Sequence, residues 1–314
     1  MSPDAGASLR IATIGVGHLG RHHARLLRAM PGVTFVAAVD LVAERARAAV
    51  EHSAAEALTD AGALAGRVDA VTIAVPTAGH LAVARPFLER GVHVLVEKPM
   101  AASLAEADGM LAVAARTGAT LAVGHTERFN PAVQAALPIL RTPRFIEVHR
   151  LSGFPERSLD IDVVFDVMIH DLDVILAVDS SDVAGVEAIG VPVLTPKVDI
   201  ANARVTFQSG CIANITASRI SRDKVRKMRF FQPDMYASID CAAQELEVWR
   251  LEPVPGDRPR IAGGPVPVAP AEPLQQELAD FVDAVRTGRA PRVPGTAGRR
   301  ALALATRVHE AMGR

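Results

Sequence analysis

The chain has 314 residues, of which 49% are hydrophobic and 22% charged, so it has enough apolar side chain for two packed domains and is not intrinsically disordered. Lys and Arg number 34 against 35 Asp and Glu, a formal net charge of -1 that lacks the electrostatic footprint of a nucleic-acid binder. Two cysteines, Cys211 and Cys241, are too few for a disulfide framework and read as reduced, packed thiols of a cytoplasmic protein. Residues 1–8 lack the basic start and apolar run of a signal peptide, and no stretch reaches the roughly 18 apolar residues that span a bilayer, so no membrane association is expected.

In chain order, residues 10–14 predict a strand, a glycine loop follows, and a helix runs to about residue 29. Further strands are predicted at 33–39, 68–75, 92–96 and 120–123, with a helix at 41–51 and helical segments between the others. Continuous apolar strands separated by helices mean a parallel sheet covered on both faces, a doubly wound Rossmann-type α/β domain. After residue 124 the pattern changes. Strands are predicted at 145–151, 184–191, 201–207, 211–218, 225–231, 235–240 and 245–250, several alternating apolar and polar residues as in a largely antiparallel open sheet. A strong helix is predicted at 163–178, residues 252–273 read as a Pro- and Gly-rich loop, and two helices close the chain at 274–287 and 295–312. The expected division is a nucleotide-binding domain at 1–126 and a second α/β domain, for substrate and oligomerisation, at 127–314.

Gly15-Val16-Gly17-His18-Leu19-Gly20 lies between the first strand and the first helix. Gly15 permits the tight turn, Gly17 lets backbone approach a pyrophosphate, and Gly20 lets helix and strand pack closely. The helix N-terminus, with His18 and Leu19, offers N–H groups and a positive dipole end to phosphate. Asp40 ends the second strand twenty residues after Gly20, where a carboxylate accepts hydrogen bonds from an adenosine ribose. It also suits a cap on the next helix, and can do both. Its charge repels a 2′-phosphate and favours NAD over NADP, although Arg21 and Arg45 lie close in sequence. At the carboxyl end of a later strand, Pro76 and Thr77 are further candidate cofactor contacts, with His80 beyond them.

Glu97-Lys98-Pro99 follows another strand, again at a carboxyl edge, and Pro99 can fix that loop through a cis bond. Glu97 is counted with the cofactor contacts, and Lys98 beside a nicotinamide can stabilise negative charge on a substrate oxygen. A lysine in a turn is more often simply solvated. Asp166 and His170 are four apart on an apolar helix, so the carboxylate and the imidazole share a face, with Asp173 on the same side. Such a pair serves a general base, or is a satisfied structural contact. His170, Asp171 and Asp173 lack a fourth ligand, and no metal is expected.

These motifs, with Arg21-His22-His23-Ala24 after the glycine loop and Arg128-Phe129-Asn130-Pro131, resemble the glucose-fructose oxidoreductase/inositol dehydrogenase/rhizopine-catabolism (Gfo/Idh/MocA) family over nearly the whole chain. The resemblance implies a Rossmann domain, an α/β domain whose open sheet forms a homodimer or homotetramer interface, and NAD(P)-dependent oxidation at a sugar or cyclitol carbon. It makes Lys98, Asp166 and His170 the catalytic set. His170 takes the proton of a ring hydroxyl, Lys98 hydrogen-bonds its oxygen, and Asp166 orients His170 or pairs with Lys98. Residues 124–131, 145–150, 197–204 and 226–233 are similar to a branch of bacterial UDP-N-acetylglucosamine 3-dehydrogenases. That branch makes a 3-keto sugar nucleotide for a partner aminotransferase that supplies a 2,3-diamino sugar for lipid A.

A sugar nucleotide carries a pyrophosphate, which arginines can grip. Arg219, Arg222, Lys224, Arg226, Lys227 and Arg229 form a basic run, and Arg150 and Arg157 precede the helix of His170. The run equally suits a solvated strand face. Arg157 is the best single candidate, and Arg128, Asn130 and Asp173 complete the expected substrate contacts. Two other readings stand beside this one: a free-sugar or inositol dehydrogenase with the same Lys–His pair, and a non-catalytic NAD-responsive regulator.

Overall fold

The structure, a computed structural model, describes residues 8–154, 161–256 and 258–313. Its contacts divide the chain into two units, one running to His125 and taking in Leu274–Arg299, the other Thr126–Pro273 with Arg300 onward.

The first unit is built from β1 (Leu9–Ile14), α1 (Gly20–Ala29), β2 (Val33–Val39), α2 (Ala43–Val50), β3 (Glu56–Leu58), β4 (Ala70–Ile73), α3 (His80–Leu88), β5 (His93–Glu97), α4 (Leu104–Thr117) and β6 (Leu121–Gly124). The six strands are parallel in the order β3-β2-β1-β4-β5-β6, the Rossmann order with its switch point between β1 and β4. Ile11, Ile14, Val71, Ile73, Val94, Leu95 and Val96 are buried, because a parallel sheet is covered on both faces. The short β3 carries little apolar pattern and is not predicted from the sequence.

Part of that cover arrives late in the chain. Helix α7 (Pro273–Thr287) places Leu278, Phe281, Val282 and Val285 on one stripe, at the spacing of a single helix face. The stripe packs with Ile11, Leu26, Leu27 and Leu95. Residues 274–299 therefore belong to the nucleotide-binding unit, where the sequence places them in the second domain. The apolar periodicity of α7 says that it packs, without saying on which sheet.

The second unit contains α5 (Pro131–Ala136), β7 (Phe145–Leu151), a π-helical turn at Val164–Met168, α6 (Ile169–Val178), β8 (Val183–Val191), β9 (Ile200–Phe207), β10 (Ile212–Ser218), β11 (Val225–Phe231), β12 (Met235–Asp240), β13 (Glu245–Glu252), β14 (Arg260–Val266) and the end of α8 (Gly295–Met312). Eight strands run in the order β14-β13-β12-β11-β7-β10-β9-β8, antiparallel except for β7 with β10. Ile146, Val148, Val205, Ile215, Phe230 and Ile239 on one face pack with Ile169, Leu172, Leu304 and Val308. The other face bears Phe145, Phe231, Tyr236 and the exposed Trp249 and Ile189.

Two expectations are corrected. The Pro/Gly-rich segment holds an edge strand, β14, paired only with β13. An edge tolerates Pro265, and Gly263 (φ +136°) lets the strand lie where a Cβ would strike the Val248 carbonyl. The expected single helix at 163–178 is a π turn followed by α6, a wider turn of a kind found at functional sites.

Candidate active site

The glycine loop occupies the carboxyl end of β1. Gly15 takes φ +80°, and a Cβ on it would lie 2.7 Å from the Val75 nitrogen. A Cβ on Gly20 would strike the Gly15 carbonyl, so these two glycines are demanded by packing. Gly17 is different: a Cβ there meets nothing within 4 Å. The space over Gly17 is where a pyrophosphate approaches the backbone, and α1 has neither a side-chain cap nor an acidic residue in its first turn to compete with phosphate.

The Asp40 carboxylate accepts from the Val16 and Val42 nitrogens at 3.0 and 2.9 Å. It thus ties the glycine loop to the turn before α2, but α2 begins after Val42 without a side-chain cap, so Asp40 is not the helix cap the sequence allows. The Arg45 guanidinium lies 3.9 Å from it. Between α1 and α2 runs a groove of about 700 Å³ lined by Gly17, His18, Arg21, Arg25 and Arg45 among others, positive surroundings beside the loop over which a pyrophosphate can lie. Leu19 is exposed beside it. These residues fit NAD.

At the ends of β4 and β5 the structure sorts the remaining candidates. Pro76 is exposed and Thr77 opens a short 3-10 turn. His80 is buried, with Nδ1 3.0 Å from the Pro99 carbonyl and Nε2 2.9 Å from that of Val75. Burial pushes its pKa down against those carbonyls. Both nitrogens face backbone oxygens and the neutral ring donates to one of them, so His80 links the two turns. Glu97 is also turned inward: Oε1 lies 3.0 Å from His23 Nε2, and Oε2 accepts from the Lys98 nitrogen at 3.2 Å. Burial disfavours its anion, yet the hydrogen bond and charge of His23, then Lys98, hold its pKa below the ordinary carboxylate value. Lys98 is half-buried and precedes a cis bond to Pro99, as the sequence suggests.

In the second unit, Asp166 lies in the π turn and His170 in the first turn of α6, both half-buried. Their acidic neighbours are committed elsewhere. Asp173 is buried and pairs with Arg128 at 3.3 Å. Asp171 and Glu127 hold Arg150 at 2.7 and 2.8 Å, and these carboxylates keep the guanidinium charged although burial opposes it. Asn130 caps α5 through the Ala132 nitrogen and donates to the Cys241 carbonyl. Arg128, Asn130 and Asp173, expected at the substrate, thus fasten the segments around α6.

The basic run is divided in the same way. Arg219 is fully buried: it donates to Asp199 at 2.9 Å and to the Ile161 carbonyl at 2.6 Å. Arg229 pairs with Glu147 at 2.7 Å and Lys227 with Asp240 at 3.6 Å, whereas Arg222, Lys224 and Arg226 are exposed. Arg157 lies outside the described residues. Sequence reasoning missed the partners, Asp199 for Arg219 and Asp171 for Arg150, because they are 20 and 21 residues away without a local pattern. It also missed Glu277, which joins His23 and Glu97 from the far end of the chain.

A Rossmann unit with an open glycine loop and a carboxylate at the end of β2 is the fold of a dinucleotide-dependent oxidoreductase, and the second unit carries Asp166 and His170 on consecutive turns. Residues 9–125 match the Gfo/Idh/MocA family, described as an oxidoreductase family with an NAD-binding Rossmann fold. The chain is 39% identical over 307 residues to the UDP-N-acetylglucosamine 3-dehydrogenase of Acidithiobacillus ferrooxidans, covering 97% of each protein. The solved structure of that enzyme superposes with a TM-score of 0.90 over 96% of this chain and 97% of the other, at 38% identity. The D-apiose dehydrogenase of Paraburkholderia graminis is 30% identical, over 93% of this chain and 84% of its own. The chain belongs to the Gfo/Idh/MocA family of NAD-dependent oxidoreductases. No helix among the described residues is long and apolar enough to cross a membrane.

Proposed function

We propose that this protein oxidises the 3-hydroxyl of UDP-N-acetylglucosamine to a ketone. The observation that carries the reading is its 39% identity, over 97% of both chains, to a dehydrogenase of that substrate. NAD supplies the hydride acceptor. His170 takes the hydroxyl proton as general base, and the Asp166 carboxylate sets its orientation. Lys98 donates a hydrogen bond to the oxygen and stabilises its alkoxide character. Asp40 binds the adenosine ribose, and the exposed Arg222, Lys224 and Arg226 supply positive charge for the pyrophosphate of the sugar nucleotide. The aromatic open face of the eight-stranded sheet suits a homodimer or homotetramer, and the product suits an aminotransferase acting next, in the cytoplasm.

The test is NADH fluorescence from purified protein given NAD and UDP-N-acetylglucosamine, with hydroxylamine to trap ketone and with free N-acetylglucosamine and myo-inositol in parallel. Signal with the sugar nucleotide alone is the expected result. Equal signal with a free sugar or polyol would retain the Lys98 and His170 chemistry and overturn the nucleotide requirement.

A further inference from the structure

Behind Lys98 sits a trio of ionisable side chains drawn from three distant parts of the first unit. His23 comes from α1, Glu97 from the end of β5, and Glu277 from α7. All three are buried, and one imidazole nitrogen and one oxygen of each carboxylate lie within 4.8 Å of one another. These are also the donor atoms of a metal site, but the geometry argues for a proton. His23 Nε2 and Glu97 Oε1 are 3.0 Å apart, a hydrogen-bond distance. Two ligands of a tetrahedral ion, each bonded at ~2.0–2.1 Å, stand about 3.3 Å apart.

Two ionised carboxylates this close and away from water, with a neutral ring between them, repel strongly and are poorly solvated. The hydrogen bond and charge of His23 favour the Glu97 anion against that cost. The anion is used: its second oxygen accepts the N–H of Lys98 at 3.2 Å. Gly124 makes room for it, since a Cβ there would lie 3.0 Å from the Glu97 carboxylate. From the far side of the turn, His80 meets the Pro99 carbonyl at 3.0 Å. The peptide that carries Lys98 is therefore gripped at both ends by buried side chains.

We propose that His23 and Glu277 are positioning residues for Lys98, acting through the buried Glu97 carboxylate that they surround. The inference rests on the proposed role of Lys98 in the reaction. It gives α7 a task besides packing: the helix carries the acid that completes the trio from 180 residues downstream of Glu97 (277 minus 97).

The test compares His23→Leu, His23→Gln and Glu277→Gln in the full-length protein, each alone and with Lys98→Ala. Melting temperature and NAD binding serve as controls. His23→Leu should lower kcat about 10- to 100-fold, the effect of misplacing a reacting group by a fraction of an ångström to an ångström, with little change in the NAD dissociation constant. His23→Gln keeps an N–H within reach of Glu97 and should restore most of that loss. Glu277→Gln should lower kcat in the same direction and add little to His23→Leu. In the Lys98→Ala background none of these changes should matter further, because effects transmitted through one residue vanish with it. Equal losses with and without Lys98, or no rescue by glutamine, would overturn the inference. Wild-type turnover by Lys98→Ala would instead overturn the reading of Lys98 itself, a distinguishable result.

Discussion

At the scale of single residues, Asp40 holds the glycine loop, and its charge gives a test of cofactor selection. It accepts two backbone N–H groups and stands 3.9 Å from Arg45. Removing its charge in Asp40→Ser takes away the repulsion of a 2′-phosphate and leaves Arg45 and the basic groove in place. The ratio of kcat/KM for NADP to that for NAD should rise about tenfold or more, the scale of one charge-assisted contact to phosphate. Steady-state kinetics with both cofactors checks this, and an unchanged ratio would remove Asp40 from cofactor selection. His80 makes the opposite point. A histidine at a helix start near the cofactor reads as a contact, yet its two nitrogens are spent on the Val75 and Pro99 carbonyls. Residue type and spacing locate such a group without showing which way it faces.

At the scale of elements, the approach to the π turn is held by a buried ion pair. The Asp199 carboxylate accepts from the backbone nitrogens of Val193, Leu194 and Thr195 and from the Arg219 guanidinium, and Arg219 passes on to the Ile161 carbonyl just before the turn. Burial disfavours its anion, but these N–H groups and the Thr195 hydroxyl outweigh it and hold its pKa far below the ordinary carboxylate value. A carboxylate with a depressed folded pKa adds stability that is fully present above its unfolded value near ~3.9 and is lost as pH falls toward the folded one. Asp199→Asn should therefore cost about 3–5 kcal/mol at neutral pH, as breaking a buried pair does, and the gap to wild type should narrow below about pH 4. Denaturant unfolding at the two pH values measures it. A gap that is small at pH 7 or constant into acid would contradict the account. The helix carrying His170 was legible from its apolar run, but the π turn was not, since widening one turn depends on tertiary contacts with no local signature.

At the scale of the whole molecule, the parallel sheet and the glycine loop follow from patterns that are local in sequence: apolar runs, a turn that only glycine permits, and a carboxylate at a fixed distance. Lys98, Asp166 and His170 stand out as candidates for the same reason, each sitting in a short motif. What escaped were pairings between segments far apart in the chain. Arg150 and Arg219 read as candidate pyrophosphate contacts, whereas both are buried against carboxylates of distant segments, and the periodicity of α7 does not say which sheet it covers. The central claim is that hydride leaves carbon 3 of a sugar nucleotide for NAD, and it is tested most directly by isotopic transfer. UDP-N-acetylglucosamine deuterated at carbon 3 is incubated with the enzyme and NAD, and the reduced nicotinamide is analysed by mass spectrometry. Reduced cofactor carrying one deuterium is the predicted result. Reduced cofactor without deuterium, or no reduction while a free sugar is oxidised, would contradict the account.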